Sequence, residues 1–416
     1  MSKKRNIIVG QSGGPTSVIN SSLAGVYKTA KERGFDKVYG MLHGVQGLLD
    51  EKYVDLSTQI HTNMDIELLK RTPSAFLGSC RYKLPEIHED PSIYERLFEI
   101  MDKLEIEAFI YIGGNDSMDT IKKLSDYAII KGHPQKFLGV PKTIDNDLAL
   151  TDHTPGFGSA AKYIAASTKE VIRDALGLSY NKENITILEV MGRNAGWLTG
   201  ATALAKTEEC EGPDLIYLPE LTFDMDKFLK KVQKLMKQKQ NIVIAVSEGI
   251  RLADNRYVCE LSGGPDYVDA FGHKQLQGTA AYLATFLGAE MGCKTRSIEF
   301  STLQRSASHM ASRTDIDEAF MVGGAAVKAA DEGDTGKMVV IDRVSDDPYM
   351  STAGIYDVHR IANNERLVPR EWVNKEGDYV TEDFISYVKP LIQGDYPPFM
   401  VNGLPQHLVL DLGKKQ

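Results

Sequence analysis

The segment Phe137-Leu138-Gly139-Val140-Pro141-Lys142-Thr143-Ile144-Asp145-Asn146-Asp147 decides how the chain is read. Residues 137–140 form a short apolar run, and the six residues from Lys142 crowd a lysine, a threonine, an asparagine and two aspartates together. A continuous apolar run of this length reads as a strand buried on both faces, which is the signature of a parallel sheet. Ligands of open α/β sheets bind in the crevice at the carboxyl ends of the strands. The polar loop stands there. It reads either as a solvated, helix-capping loop or as a site. Two carboxylates so close repel each other, and folding alone supplies no reason to concentrate them. A metal phosphate and a proton-accepting base would supply one.

Moving outward, the same pattern recurs. Strands are expected at 6–9, 37–41, 108–112, 185–190, 215–218, 242–247, 296–300 and 338–341. Helices are expected at 160–175, 225–239 and 279–290, after the first glycine turn through Tyr27 and Ala30, and from Ser117. Strand–helix alternation of this kind predicts an α/β fold of mainly parallel sheets flanked by helices. No fixed-period repeat is present.

Composition narrows the function classes. The 416 residues exceed a usual single core, which predicts two lobes. A net charge of −9 argues against a nucleic-acid surface. The basic start is followed by too short an apolar run for a signal peptide, and no run is long enough for a membrane span. Four scattered cysteines without CxxC fit reduced thiols in the cytoplasm. Nine histidines show no zinc-ligand spacing.

Further strand-end motifs carry chemistry. Gly13-Gly14-Pro15-Thr16 follows the first strand, where backbone N–H groups and a helix N-terminus favour an anion; taken alone, a tight turn explains it as well. No GxxxxGK[ST] and no GxGxxG occurs. Gly113-Gly114-Asn115-Asp116-Ser117 suits a magnesium phosphate, with Ser117 as a helix N-cap in the plainer reading. Met191-Gly192-Arg193 places an arginine at a strand end, and Ser247-Glu248-Gly249 places a glutamate that binds sugar hydroxyls or caps a turn. Arg296 and Arg305 flank a strand and turn, a spacing suited to a phosphate monoester.

Six such motifs, in order over about residues 5–345, resemble the phosphofructokinase family. The resemblance implies a phosphofructokinase fold of two Rossmann-like lobes. Residues 1–156 with about 304–360 would form the donor lobe and 157–303 the sugar-phosphate lobe, leaving 361–416 as an extension without an assigned role. It implies that Asp145 takes the proton of the fructose 6-phosphate 1-hydroxyl, with Thr143 and Lys142 as its catalytic neighbours. Gly13, Gly14, Arg81, Asp116 and Lys142 would bind the donor. Met191, Gly192, Arg193, Glu248, Arg296, Thr302, Gln304 and Arg305 would bind the sugar phosphate, together with Thr143 and Asp145, one arginine reaching in from a neighbouring subunit. Asn115 and Asp147 would stand at Mg2+, and a homodimer or homotetramer is expected.

ATP-using relatives have glycines where Asp116 and Lys142 stand, so the resemblance is to the pyrophosphate-dependent branch. An aspartate adds bulk and charge where a nucleotide would lie. Two like unit charges about 4 Å apart repel by ~4 kcal/mol at an effective dielectric near 20. Asn115 departs from both patterns, and Asn184 stands where ATP-using relatives have an arginine. The alternatives are an ATP-dependent phosphofructokinase, an NAD-binding oxidoreductase and an inactive regulatory relative. Missing GxGxxG weighs against the second, and retained Asp145, Arg193 and Glu248 against the third.

Overall fold

The computed structural model describes residues 5–178, 182–263 and 276–412. Its two main sheets are built from β1 (Asn6–Gln11), β2 (Lys37–Met41), β3 (Tyr53–Asp55), β4 (Ile106–Gly113), β5 (Lys136–Pro141), β6 (Asn184–Val190), β7 (Leu215–Tyr217), β8 (Asn241–Ser247), β9 (Lys294–Glu299), β10 (Lys337–Asp346) and β11 (Tyr349–Asp357). The first sheet has the order β11-β10-β5-β4-β1-β2-β3, and the second β7-β8-β6-β9. All pairings in these sheets are parallel except β3 on β2 and β11 on β10.

Alternation of side chains explains why helices cover both faces. Ile7 and Val9 enter a core beneath the helices Ile19–Glu32 and Arg313–Asp331, whereas Ile8 joins Tyr94 and Phe98 on the opposite face. In the second sheet Leu188 and Val190 face one core, and Ile185 and Ile187 the other. No helix among the described residues is long and apolar enough to cross a membrane.

Three expectations are corrected. The helix expected from Ser117 spans Asn115–Lys131 with Gly114 as its N-cap; the Ser117 hydroxyl turns instead to that of Ser12. The helix expected at 160–175 spans Phe157–Leu178, because the Asp315 carboxylate accepts from Gly156 N (2.9 Å) and Ser159 N (2.8 Å) and so anchors an earlier start. The helix expected at 225–239 ends at Met236. Strands β3 and β11 have no counterpart among the expected strands. Both are partly exposed edge strands, so neither reads as a continuous apolar run.

The topology gathers the loops. β1 lies between β2 and β4, so chain order reverses there, and the turns after β1 and β4 open into one crevice. β5, next to β4, delivers the 142–147 loop. β6 lies beside β8, and Glu248 N donates to Val190 O (2.9 Å), which joins the two sugar-side turns.

Candidate active site

The loops enclose a cavity of about 600 Å³. Gly13, Gly14, Arg81, Asn115, Asp116, Lys142, Thr143, Asp145, Asp147, Met191, Arg193, Glu248 and Arg305 line it. Gly192, Arg296, Thr302 and Gln304 do not.

At one end the backbone turns sharply. Gly13 has φ 75°, its N–H donates to Cys80 O (3.1 Å), and its carbonyl accepts from Ser79 Oγ (2.6 Å). A Cβ on Gly13 would stand 3.1 Å from Lys142 Nζ, a tight contact, and the positive φ of the turn itself favours glycine. Lys142 is buried, and its Nζ donates to Gly14 O (2.7 Å). Burial, helped by Arg305 and Arg81, pushes its ammonium down to about 8 against the pull of Asp145 and Asp147. Arg305 comes within 3.2 Å of the position a Cβ would take on Gly14. Its own pKa is lowered by burial and by Arg81. Lys142 and Arg305 thus meet glycine backbone, with Arg81 lining the same cavity, a setting for an anion with several oxygens.

Asp145 lines the same cavity, its backbone N–H donating to Thr143 Oγ1 (3.1 Å). Burial raises its pKa, and Lys142, Arg193 and Arg305 pull the other way. Burial, then Asp145 and Glu365, raise Asp147 to about 7. An upward shift of the Asp145 carboxyl makes it a stronger proton acceptor than an exposed aspartate.

At the other end the turn after β6 is locked from behind. Gly192 N donates to Glu248 Oε1 (3.3 Å), Ser247 Oγ donates to Gly192 O (2.6 Å), and Met191 N donates to Gln304 Oε1 (3.3 Å). A Cβ on Gly249 would lie 1.9 Å from Arg193 O, so only glycine allows this approach. Gly192 and Gln304 therefore hold the turn and leave Met191 and Arg193 to the cavity. Burial, then Asp145, raise Glu248 to about 8, so it keeps a proton at neutral pH and can donate as well as accept. Arg296, on β9, faces Asp174 at 3.6 Å, and Thr302 is exposed; neither reaches the cavity of its own chain.

Ser117, Asn194, Ala195, Asn363 and Glu365 also line the cavity. Asn194 lies inside the MGRNAG turn, where the motif itself points to it. No motif marks Asn363 and Glu365. The residues fit a hard cation: Asn115 Oδ1 is buried without a hydrogen-bond partner, and the Asp147 carboxylate lines the same cavity. No cluster of three or more His, Cys, Asp or Glu suited to a metal exists among the described residues. A magnesium-like ion held by one or two protein oxygens, waters and phosphate needs none.

Residues 6–330 match the family model described as Phosphofructokinase. The chain belongs to the phosphofructokinase family. It is 41% identical over 406 residues to the pyrophosphate–fructose 6-phosphate 1-phosphotransferase of Halomonas elongata, covering 97% of this chain and 95% of that one. The enzyme of the same name from Xanthomonas campestris is also 41% identical over 406 residues, with 97% and 96% covered. Among solved structures, a pyrophosphate-dependent phosphofructokinase from Nitrosospira multiformis superposes with a TM-score of 0.88 at 37% identity, covering 98% of this chain and 96% of that one. Phosphofructokinases generally need a divalent metal.

Proposed function

We propose that this member of the family transfers a phosphoryl group from pyrophosphate to the 1-hydroxyl of fructose 6-phosphate, reversibly. The observation that carries the reading is Asp145 in one cavity with Lys142, Asp116 and the Gly13 turn on one side, Arg193 and Glu248 on the other, and Arg305 beside Gly14. The names of the relatives support it.

Asp145 accepts the proton of the 1-hydroxyl. The sugar oxygen then forms a bond to phosphorus as the bond to the bridging oxygen breaks, and orthophosphate leaves. Lys142 and Arg81 offset charge on the donor, Arg193 and Glu248 orient the sugar phosphate, and Arg305, beside Gly14 and near both Asp145 and Glu248, offsets phosphate charge where the two substrates meet. Mg2+, held by Asn115 and Asp147, would neutralise phosphate charge when bound. Arg296, which does not line the cavity of its own chain, is read as serving a neighbouring protomer of a homodimer or homotetramer. The sheet of β1–β5, β10 and β11 is read as the donor side and that of β6–β9 as the sugar side. A cytoplasmic location accords with free cysteines throughout the described residues.

The test is a donor assay with purified protein, fructose 6-phosphate and Mg2+. Turnover with pyrophosphate and little with ATP is expected. A strong preference for ATP would overturn the donor assignment.

A further inference from the structure

The segment from residue 358 onward carries no catalytic motif, yet it is fastened to the catalytic loop. Val358, Ile361 and Ala362 are buried in the core that also contains Leu148 and Met118. The next residues cross to the 142–147 loop. Glu365 bridges Leu148 in antiparallel fashion, and Arg366 N donates to Asp147 O (2.7 Å). Farther on, the short helix Glu382–Val388 brings Tyr387 beneath the same loop.

Tyr387 is almost fully buried and packs against both Trp197 and Trp372 (ring centroids 5.4 and 5.2 Å away). Its hydroxyl accepts from Asn146 Nδ2 (2.9 Å) and from Arg366 Nη1 (3.1 Å), and donates to Asp152 O (2.6 Å). Asn146 is fully buried and left-handed, with φ 56°. A non-glycine residue in that region costs free energy and persists only where its surroundings over-determine it. The other end of the Asn146 amide accepts from Thr154 N (3.1 Å). Asn146 thus hangs between Thr154 and Tyr387, and the residues on either side of it are Asp145 and Asp147.

We infer that Tyr387 is a positioning residue of the active site: through Asn146 it fixes the backbone that aims Asp145 and Asp147 into the cavity. The segment 358–392 is on this account part of the catalytic apparatus, and not an appendage. The inference rests on Asp145 being the reacting base. A displacement of about 1 Å at a reacting group can cost 10²-fold in rate, so one tether is enough to matter.

The test compares wild type, Tyr387→Phe, Asn146→Ala and the double variant, each assayed with pyrophosphate and with ATP well below its unfolding midpoint. Tyr387→Phe keeps the ring and removes only the hydroxyl. Its kcat should fall about 10–100-fold per folded molecule with whichever donor the wild type uses, while both KM values stay within about threefold. Because Tyr387 acts through Asn146, the double variant should be no slower than Asn146→Ala alone. An unchanged kcat in Tyr387→Phe, or losses that multiply in the double variant, overturns the inference. A purely structural role would lower the midpoint and leave kcat intact. Wild-type turnover with ATP alone would defeat the donor reading and leave this comparison in force.

Discussion

Lys142 shows how one side chain can be read from sequence in kind but not in degree. A lysine directly after a buried strand, at the head of an acidic loop, announces an anion site. Its burial against Gly14 O, and the resulting pKa of about 8, required the fold. Because burial lowers this pKa, the charged form is lost as pH rises through about 8. The dependence of kcat/KM reports groups of the free enzyme. For pyrophosphate, kcat/KM should therefore decline above about pH 8, up to tenfold per pH unit. Lys142→Arg, charged throughout that range, should be slower overall but lack the decline. An identical alkaline limb in both enzymes would remove Lys142 from that role. Asp145 was likewise legible as the first aspartate of the loop. Asp145→Asn should lower kcat by orders of magnitude while fructose 6-phosphate binding, measured by calorimetry, changes little.

Among elements, those that end in the site were legible because each couples a continuous apolar run to a polar turn. β1, β4, β5, β6 and β8 all have this form, and each delivers cavity residues. Elements fixed by tertiary partners were not legible. β11 is recognisable only once β10 lies beside it, and nothing near Glu365 or Tyr387 in sequence says that they approach Asp147 and Asn146. The Phe157–Leu178 helix is a third instance, its start set by Asp315 from a distant helix. Burial raises the Asp315 carboxyl to about 6 against the bonds from Ser159 and Gly156, so its net contribution to stability declines as pH rises to about 6 and is level above it. Asp315→Ala leaves two buried N–H groups unpaired, at ~1–3 kcal/mol each. The unfolding midpoint near pH 7.5 should fall by several degrees, measured by calorimetry. A change under one degree would mean that the helix start is fixed by other contacts.

At the scale of the whole molecule, the stretch joining the two sheets passes through a buried charge network. His153 pairs through Nδ1 with Asp152 (2.8 Å) and through Nε2 with Glu318 (2.6 Å). Glu318 also accepts from Tyr349 and Ser351 of β11, and Asp152 from Arg343 of β10. The two carboxylates outweigh burial and raise His153 from 6.5 to about 9. A raised histidine pKa contributes stability that is whole below about pH 6.5 and lost as pH climbs through about 9. Every tenfold gain in proton affinity on folding corresponds to ~1.4 kcal/mol. Asp147 and Glu248, whose folded pKa values are raised by burial, also lose stability as pH rises, but between their unfolded values and about 7 and 8. The two effects overlap, so the wild-type curve alone does not separate them. His153→Gln does, since it keeps the site carboxylates and removes the titrating ring. Urea unfolding from pH 6 to 10 should show the wild-type advantage over His153→Gln shrinking steadily above pH 6.5. Parallel curves would mean that the imidazole is neutral in the fold and that hydrogen bonding alone, without charge, holds the junction between the sheets.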